Sequence, residues 1–154
     1  ADPVDAALAN CLADAAEGVG ATLHRGGTYV CIDGPQFSTR AESHMYRTWG
    51  ADIIGMTNLP EARLAREAQL PYATMALVTD FDCWHEAEED VNVEAVLAVM
   101  QRNVATARQI LAAISCWPDP SESPSSSAMA HAVLTSPDQI SPAAREKLAD
   151  LLPG

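Results

Sequence analysis

Apolar positions along the chain change period several times, and each change marks an element. Val4, Ala7, Leu8, Cys11, Leu12 and Ala15 recur at the three-and-four spacing of an amphipathic helix, which Gly18 and Gly20 stop. Residues 22–24 and 29–32 read as strands, with Gly26-Gly27 as the turn between them and Gly34-Pro35 breaking the second. A helix capped by Ser38 or Thr39 runs to about Trp49, and Glu42 lies three residues after Thr39, the spacing of a capping box. Residues 52–56 form a short apolar strand. Pro60 suits the first turn of a helix through Ala68, where its missing N–H costs nothing. Residues 72–79 are apolar without alternation, the pattern of a strand buried on both faces. The longest helix spans residues 93–114, with Val93, Val96, Leu97, Met100, Val104, Ala107, Ile110 and Leu111 as its buried stripe. The Pro- and Ser-rich segment 118–127 predicts a loop or flexible linker, and a helix over 142–152 closes the chain.

Strands alternating with helices indicate an α/β fold, a mixed central sheet flanked by helices. Such sheets bind ligands in the crevice beyond the C-terminal ends of their strands. Chemistry is therefore expected at residues 34–39, 55–58 and 79–84. At 154 residues the chain holds one core, and no apolar run approaches the roughly 20 residues that span a bilayer. The N-terminus has no signal-like character, so a cytoplasmic location and no membrane partner are expected. A net charge of -12 argues against nucleic acid, whose phosphates need clustered Lys and Arg. Much of the surplus sits in the run His85-Glu86-Ala87-Glu88-Glu89-Asp90, which reads as a solvated loop or helix start. Cys11, Cys31, Cys83 and Cys116 form no CxxC pair, so no metal is expected and isolated thiols are the simplest reading.

Asp80 and Asp82 follow the most apolar strand directly, with Phe81 and Trp84 beside them. A carboxylate at a sheet mouth near apolar rings can hold a proton at neutral pH and donate it to a ring nitrogen of a leaving base. Loop or cap carboxylates are the plainer alternative. Met56-Thr57 ends another strand, where a hydroxyl and backbone amides can hold phosphate or sugar; a core Met and a helix-capping Thr are the alternative. Phe37 could stack on a flat ligand or simply enter the core. The four His residues are scattered, and no nucleophile elbow, GxGxxG or Walker pattern occurs.

Five spaced segments then point further. They are Gly26-Gly27-Thr28-Tyr29-Val30; Gly34-Pro35-Gln36-Phe37-Ser38-Thr39-Arg40-Ala41-Glu42-Ser43; Trp49-Gly50-Ala51-Asp52-Ile53-Ile54-Gly55-Met56-Thr57; Pro60-Glu61-Ala62; and Thr79-Asp80-Phe81-Asp82-Cys83-Trp84. In this order and spacing the chain resembles the methylthioadenosine phosphorylases of the trimeric purine nucleoside phosphorylase family. The match runs from Ala1 to about Ile114 and recurs weakly at Leu151-Leu152-Pro153.

The resemblance implies phosphate-dependent cleavage of methylthioadenosine to adenine and 5-methylthioribose 1-phosphate, with phosphate as co-substrate and no cofactor. It implies that Asp80 binds the purine N7 and supplies the proton, and that Asp82 accepts from the 6-amino group. Phe37 would pack on the base with Ser38 beside it, and Thr79 would line the pocket. Met56 would contact the ribose and Thr57 the phosphate. Val93 and Val96 would face the methylthio group, and Leu151 would reach a neighbouring subunit of a homotrimer. A carboxylate pair accepts from a 6-amino group and repels a 6-oxo group, which favours adenine over hypoxanthine nucleosides. Family members are about twice this length, so the resemblance implies only the C-terminal half of the fold. The glycine-rich phosphate loop and the Arg-His phosphate ligands would lie in an N-terminal partner half. Residues 117–135 depart from the pattern as an insertion, and residues 136–154 are expected as a C-terminal helix. The alternatives are a 6-oxopurine nucleoside or methylthioinosine phosphorylase, and a nucleoside-binding fragment without catalysis.

Overall fold

The computed structural model describes residues 2–85, 93–115 and 117–152, without the side chains of Val93 and Ala95. In chain order the elements are α1 (Ala6–Gly18), β1 (Tyr29–Cys31), α2 (Arg40–Thr48), β2 (Ile53–Gly55), α3 (Asn58–Glu67), α4 (Val93–Ala113) and α5 (Pro142–Lys147). Three short 3-10 helices, Pro120–Glu122, Pro124–Ser127 and Pro137–Gln139, precede α5.

The centre is a β1–α2–β2 crossover. β1 and β2 are parallel, with Tyr29 opposite Ile53, Val30 opposite Ile54 and Cys31 opposite Gly55. Parallel neighbours need such a crossover, and α2 supplies it. The entry to the pair is pinned where the Thr28 amide donates to the Asp52 carboxylate at 2.7 Å. Gly27, at φ 112°, passes that carboxylate so closely that a Cβ there would lie 2.9 Å from its Oδ2. α2 starts at Thr39, whose hydroxyl accepts from the Glu42 amide while the Glu42 carboxylate accepts from the Thr39 amide at 2.7 Å. The predicted capping box is present, with Thr39 rather than Ser38 as the cap. α3 carries Pro60 in its first turn, as expected.

Four expectations are corrected. Residues 22–24 form no strand, because among the described residues no strand pairs with them to complete a ladder; Gly26 and Gly27, at φ 75° and 112°, turn the chain into β1. Residues 72–79 run without a ladder and are not buried on both faces, since Val78 is 61% exposed. Side chains hold this segment instead: the Tyr72 hydroxyl donates to Asn58 Oδ1 at 2.9 Å, and Asn103 Nδ2 donates to the Val78 carbonyl at 2.8 Å. Among the described residues of the α4 stripe, Ala107 and Ile110 are buried, and α1 packs against this helix; Leu97, Met100, Val104 and Leu111 are exposed. The last helix stops at Lys147 instead of continuing to the chain end; Leu148 leaves helical geometry at ψ 16° and residues 149–151 turn. Pro153 disfavours a helical residue before it, which opposes continuation.

The Pro/Ser segment is not a free linker. Ser123 and Ser125 are buried, and the Ser123 hydroxyl donates to Asp5 Oδ2 at 2.6 Å, across 118 positions of sequence. Asp5 also caps α1 by accepting from the Leu8 amide at 2.8 Å, and its own amide donates to the Tyr72 carbonyl.

The buried apolar core consists of Ala13, Ala16, Ala62, Ala107 and Ile110 among the described residues. These side chains are small, and the accessible surface of 11316 Å² is well above the roughly 7,500 Å² expected of a folded monomer of 16.3 kDa. A broad apolar face including Leu77, Val78, Leu97, Met100 and Val104 is left uncovered.

Candidate functional site

The loops after β1 and β2 meet at the C-terminal end of the strand pair. Gly34, at φ 71° and followed by a cis peptide bond to Pro35, lies against Met56; a Cβ at Gly34 would come 2.8 Å from the Met56 sulfur. This brings Phe37-Ser38 and Met56-Thr57 to one edge of the fold. An open cavity of about 210 Å³ is lined there by Ile32, Asp33, Gly34, Gln36, Phe37, Ser38, Glu42 and Tyr46. Phe37 is 84% exposed, so it is not a core residue and its ring is free to meet a ligand. The Ser38 hydroxyl is buried and finds no partner among the described residues. An unsatisfied buried hydroxyl costs about 1–3 kcal/mol unless something enters to pair with it.

The third loop, residues 79–85, reaches the same edge. The Cys83 thiol donates to the Ser38 carbonyl at 3.5 Å. Asp82 shapes this loop by accepting from the Cys83 amide at 2.8 Å through its side chain and from the His85 amide at 3.0 Å through its carbonyl. Packing of the thiol and the adjacent Asp82 carboxylate push Cys83 above its ordinary value of 9.0, although the residue as a whole is exposed. The Thr79 hydroxyl donates to Asp80 Oδ1 at 2.6 Å. The Asp80 carboxylate is exposed, and Phe81 is exposed beside it; this chain alone does not supply the apolar enclosure expected around the pair.

Thr57 is at the N-cap of α3, but its side chain makes no capping hydrogen bond, so the hydroxyl is not consumed by the helix. Val96 is half-buried on α4; the side chain of Val93 lies outside the described residues. Leu151 stands apart from this edge. It lines a separate, largely apolar groove of about 490 Å³ with Met129, Val133, Ile140, Leu148 and Leu152. Among the described residues no cluster of His, Cys, Asp and Glu could hold a metal, and no helix is long and apolar enough to cross a membrane.

Sequence reasoning missed Arg47. Its guanidinium carbon stands 3.4 Å over the Trp84 ring. No local signal pairs two residues 37 positions apart on a helix and a loop.

The two strand-end loops and the loop of residues 79–85 meet at one edge beside an open crevice, and at this geometry comparison with known proteins becomes informative. Residues 1–115 match the phosphorylase superfamily. The chain belongs to that superfamily. It is 49% identical, over 100% of its length, to the S-methyl-5'-thioadenosine phosphorylase of Geobacter sulfurreducens, of which it covers 54%. It is 52% identical over 99% of its length to the enzyme of that name from Thermosynechococcus vestitus, again covering 54%. A crystal structure of methylthioadenosine phosphorylase from an antarctic soil metagenomic library superposes with a TM-score of 0.88 at 44% identity, over 99% of this chain and 55% of that one. A Schistosoma mansoni methylthioadenosine phosphorylase in complex with adenine matches 74% of this chain and 46% of its own, at TM-score 0.66 and 38% identity. The chain thus spans about half the length of the relatives it matches.

Proposed function

We propose that this chain forms the base-side half of an enzyme that cleaves S-methyl-5'-thioadenosine with inorganic phosphate, releasing adenine and 5-methylthioribose 1-phosphate. The observation that carries the reading is the convergence of two strand-end loops, bearing Phe37-Ser38 and Met56-Thr57, with the loop bearing Thr79 to Asp82, in a chain about half identical to methylthioadenosine phosphorylases along its whole length.

In this reading the purine sits against Phe37, and the orphaned Ser38 hydroxyl finds its partner in the bound nucleoside. Asp80 hydrogen-bonds N7 and delivers the proton as the glycosidic bond breaks; Asp82 accepts from the 6-amino group. Thr79 lines the pocket, Met56 lies under the ribose, and the free Thr57 hydroxyl meets phosphate. Val93 and Val96 receive the methylthio group. Protonating a departing base contributes about 10²–10⁴-fold. Phosphate is the nucleophile, so no protein nucleophile or cofactor is needed.

The chain is then the C-terminal half of one nucleoside phosphorylase domain, with residues 117–135 as an insertion. The remaining half completes the phosphate site, covers the apolar face of 72–79 and α4, and encloses Asp80. A homotrimer, with Leu151 reaching a neighbour, and a cytoplasmic role in purine and methionine salvage complete the proposal.

The test is adenine release from methylthioadenosine by the protein, with and without phosphate. Phosphate-dependent release supports the reading. Adenine binding by calorimetry with no turnover, in a preparation shown to contain both halves, would replace it with a non-catalytic nucleoside-binding function.

A further inference from the structure

We propose that Arg47 is a positioning residue for the base site: it holds the loop of residues 79–85 against the loop of residues 34–38 by stacking on Trp84. The inference rests on the nucleoside reading above. Arg47 lies in the last turn of α2, whose first turn is capped directly after Ser38, so one rigid helix carries the Phe37-Ser38 arm at its start and Arg47 at its end. The guanidinium carbon is 3.4 Å from the centre of the Trp84 ring. Trp84 belongs to a three-ring cluster: Phe81 stacks on His85 at 4.6 Å, and Trp84 meets both edge-on at 5.9 and 5.2 Å.

Asp82 and Cys83 lie between Phe81 and Trp84, and the Asp82 carbonyl closes the turn onto the His85 amide. The turn therefore moves as a body with its rings. Its direct link to the first arm is the Cys83 thiol on the Ser38 carbonyl at 3.5 Å, a weak hydrogen bond. The planar guanidinium on an indole face is the stronger tether. The effect of Arg47 on Asp80 and Asp82 passes through Trp84.

The test compares Arg47→Met and Arg47→Lys in the complete enzyme. A cation–π contact of this kind is worth roughly three- to tenfold in an equilibrium. Arg47→Met should raise KM for methylthioadenosine by about that factor and leave KM for phosphate unchanged, since phosphate is held elsewhere; Arg47→Lys, which keeps the charge and loses the planar stacking face, should recover only part of the loss. A merely structural role would lower the active fraction and leave both KM values alone. In parallel, thermolysin cleavage within residues 77–85 should be faster in Arg47→Met than in the parent. Equal cleavage, or a nucleoside KM that does not move, overturns the proposal. Faster cleavage in a protein with no phosphorolysis at all would sustain Arg47 as the tether and overturn the enzymatic reading instead.

Discussion

Asp5 is the residue whose removal the structure predicts most sharply. The residue is 8% exposed and its carboxylate does two jobs: it caps α1 through the Leu8 amide and anchors the Pro/Ser segment through the Ser123 hydroxyl. Loss of an N-cap costs about 1 kcal/mol. Loss of a hydrogen bond to a charged acceptor costs about 1.5–3 kcal/mol. Asp5→Ala should therefore destabilise the chain by about 3 kcal/mol, which for a domain of this size lowers Tm by roughly 6–12 °C. Ser123→Ala should cost less, and the double variant should fall short of additivity by more than about 1 kcal/mol, because both single changes break the same bond. Thermal unfolding followed by circular dichroism reads all three.

The Ser123 hydroxyl first, and then the Leu8 amide, hold the Asp5 carboxyl below its ordinary value of 3.8, against the opposing effect of burial. A depressed folded value means the stabilisation is complete above that ordinary value and disappears as pH falls through the lower folded one. The advantage over Asp5→Asn should thus be flat above about pH 5 and shrink only below about pH 4. A Tm within about 2 °C of the parent for Asp5→Ala, or strict additivity with Ser123→Ala, would refute the double role.

Other outcomes follow from the site. Asp80→Asn should cut adenine release from methylthioadenosine by about 10²–10⁴-fold and shift the preference toward 6-oxopurine nucleosides, read from initial rates on both substrates; an unchanged preference would sink the specificity argument. Gly34→Ala puts a Cβ 2.8 Å from the Met56 sulfur at φ 71°, so it should destabilise by about 1–2 kcal/mol and raise the nucleoside KM, measured by melting and steady-state kinetics. Cys83 should alkylate more slowly than an ordinary exposed thiol at pH 8, since its value lies above 9.0, and Asp82→Asn should speed the reaction by removing the adjacent charge. Mass spectrometry of iodoacetamide-treated protein reads the rates, and no acceleration would show that Asp82 is not what suppresses the thiol.

Local chemistry was legible in the sequence wherever neighbours along the chain decide it. The capping box of Thr39 and Glu42, the Pro60 helix start and the first helix all rest on contacts within a few residues. What tertiary structure decided are contacts between distant residues. The Pro/Ser segment reads as a loop or linker until Ser123 is found against Asp5, 118 positions away. Residues 72–79 have the composition of a central strand, yet composition cannot supply the flanking strands whose backbone groups would complete a ladder. The α4 stripe likewise specifies an apolar face, while burial needs a second surface to cover it, and among its described residues Ala107 and Ile110 are buried. Periodicity encodes which side of an element is apolar; what meets that side is settled by the fold.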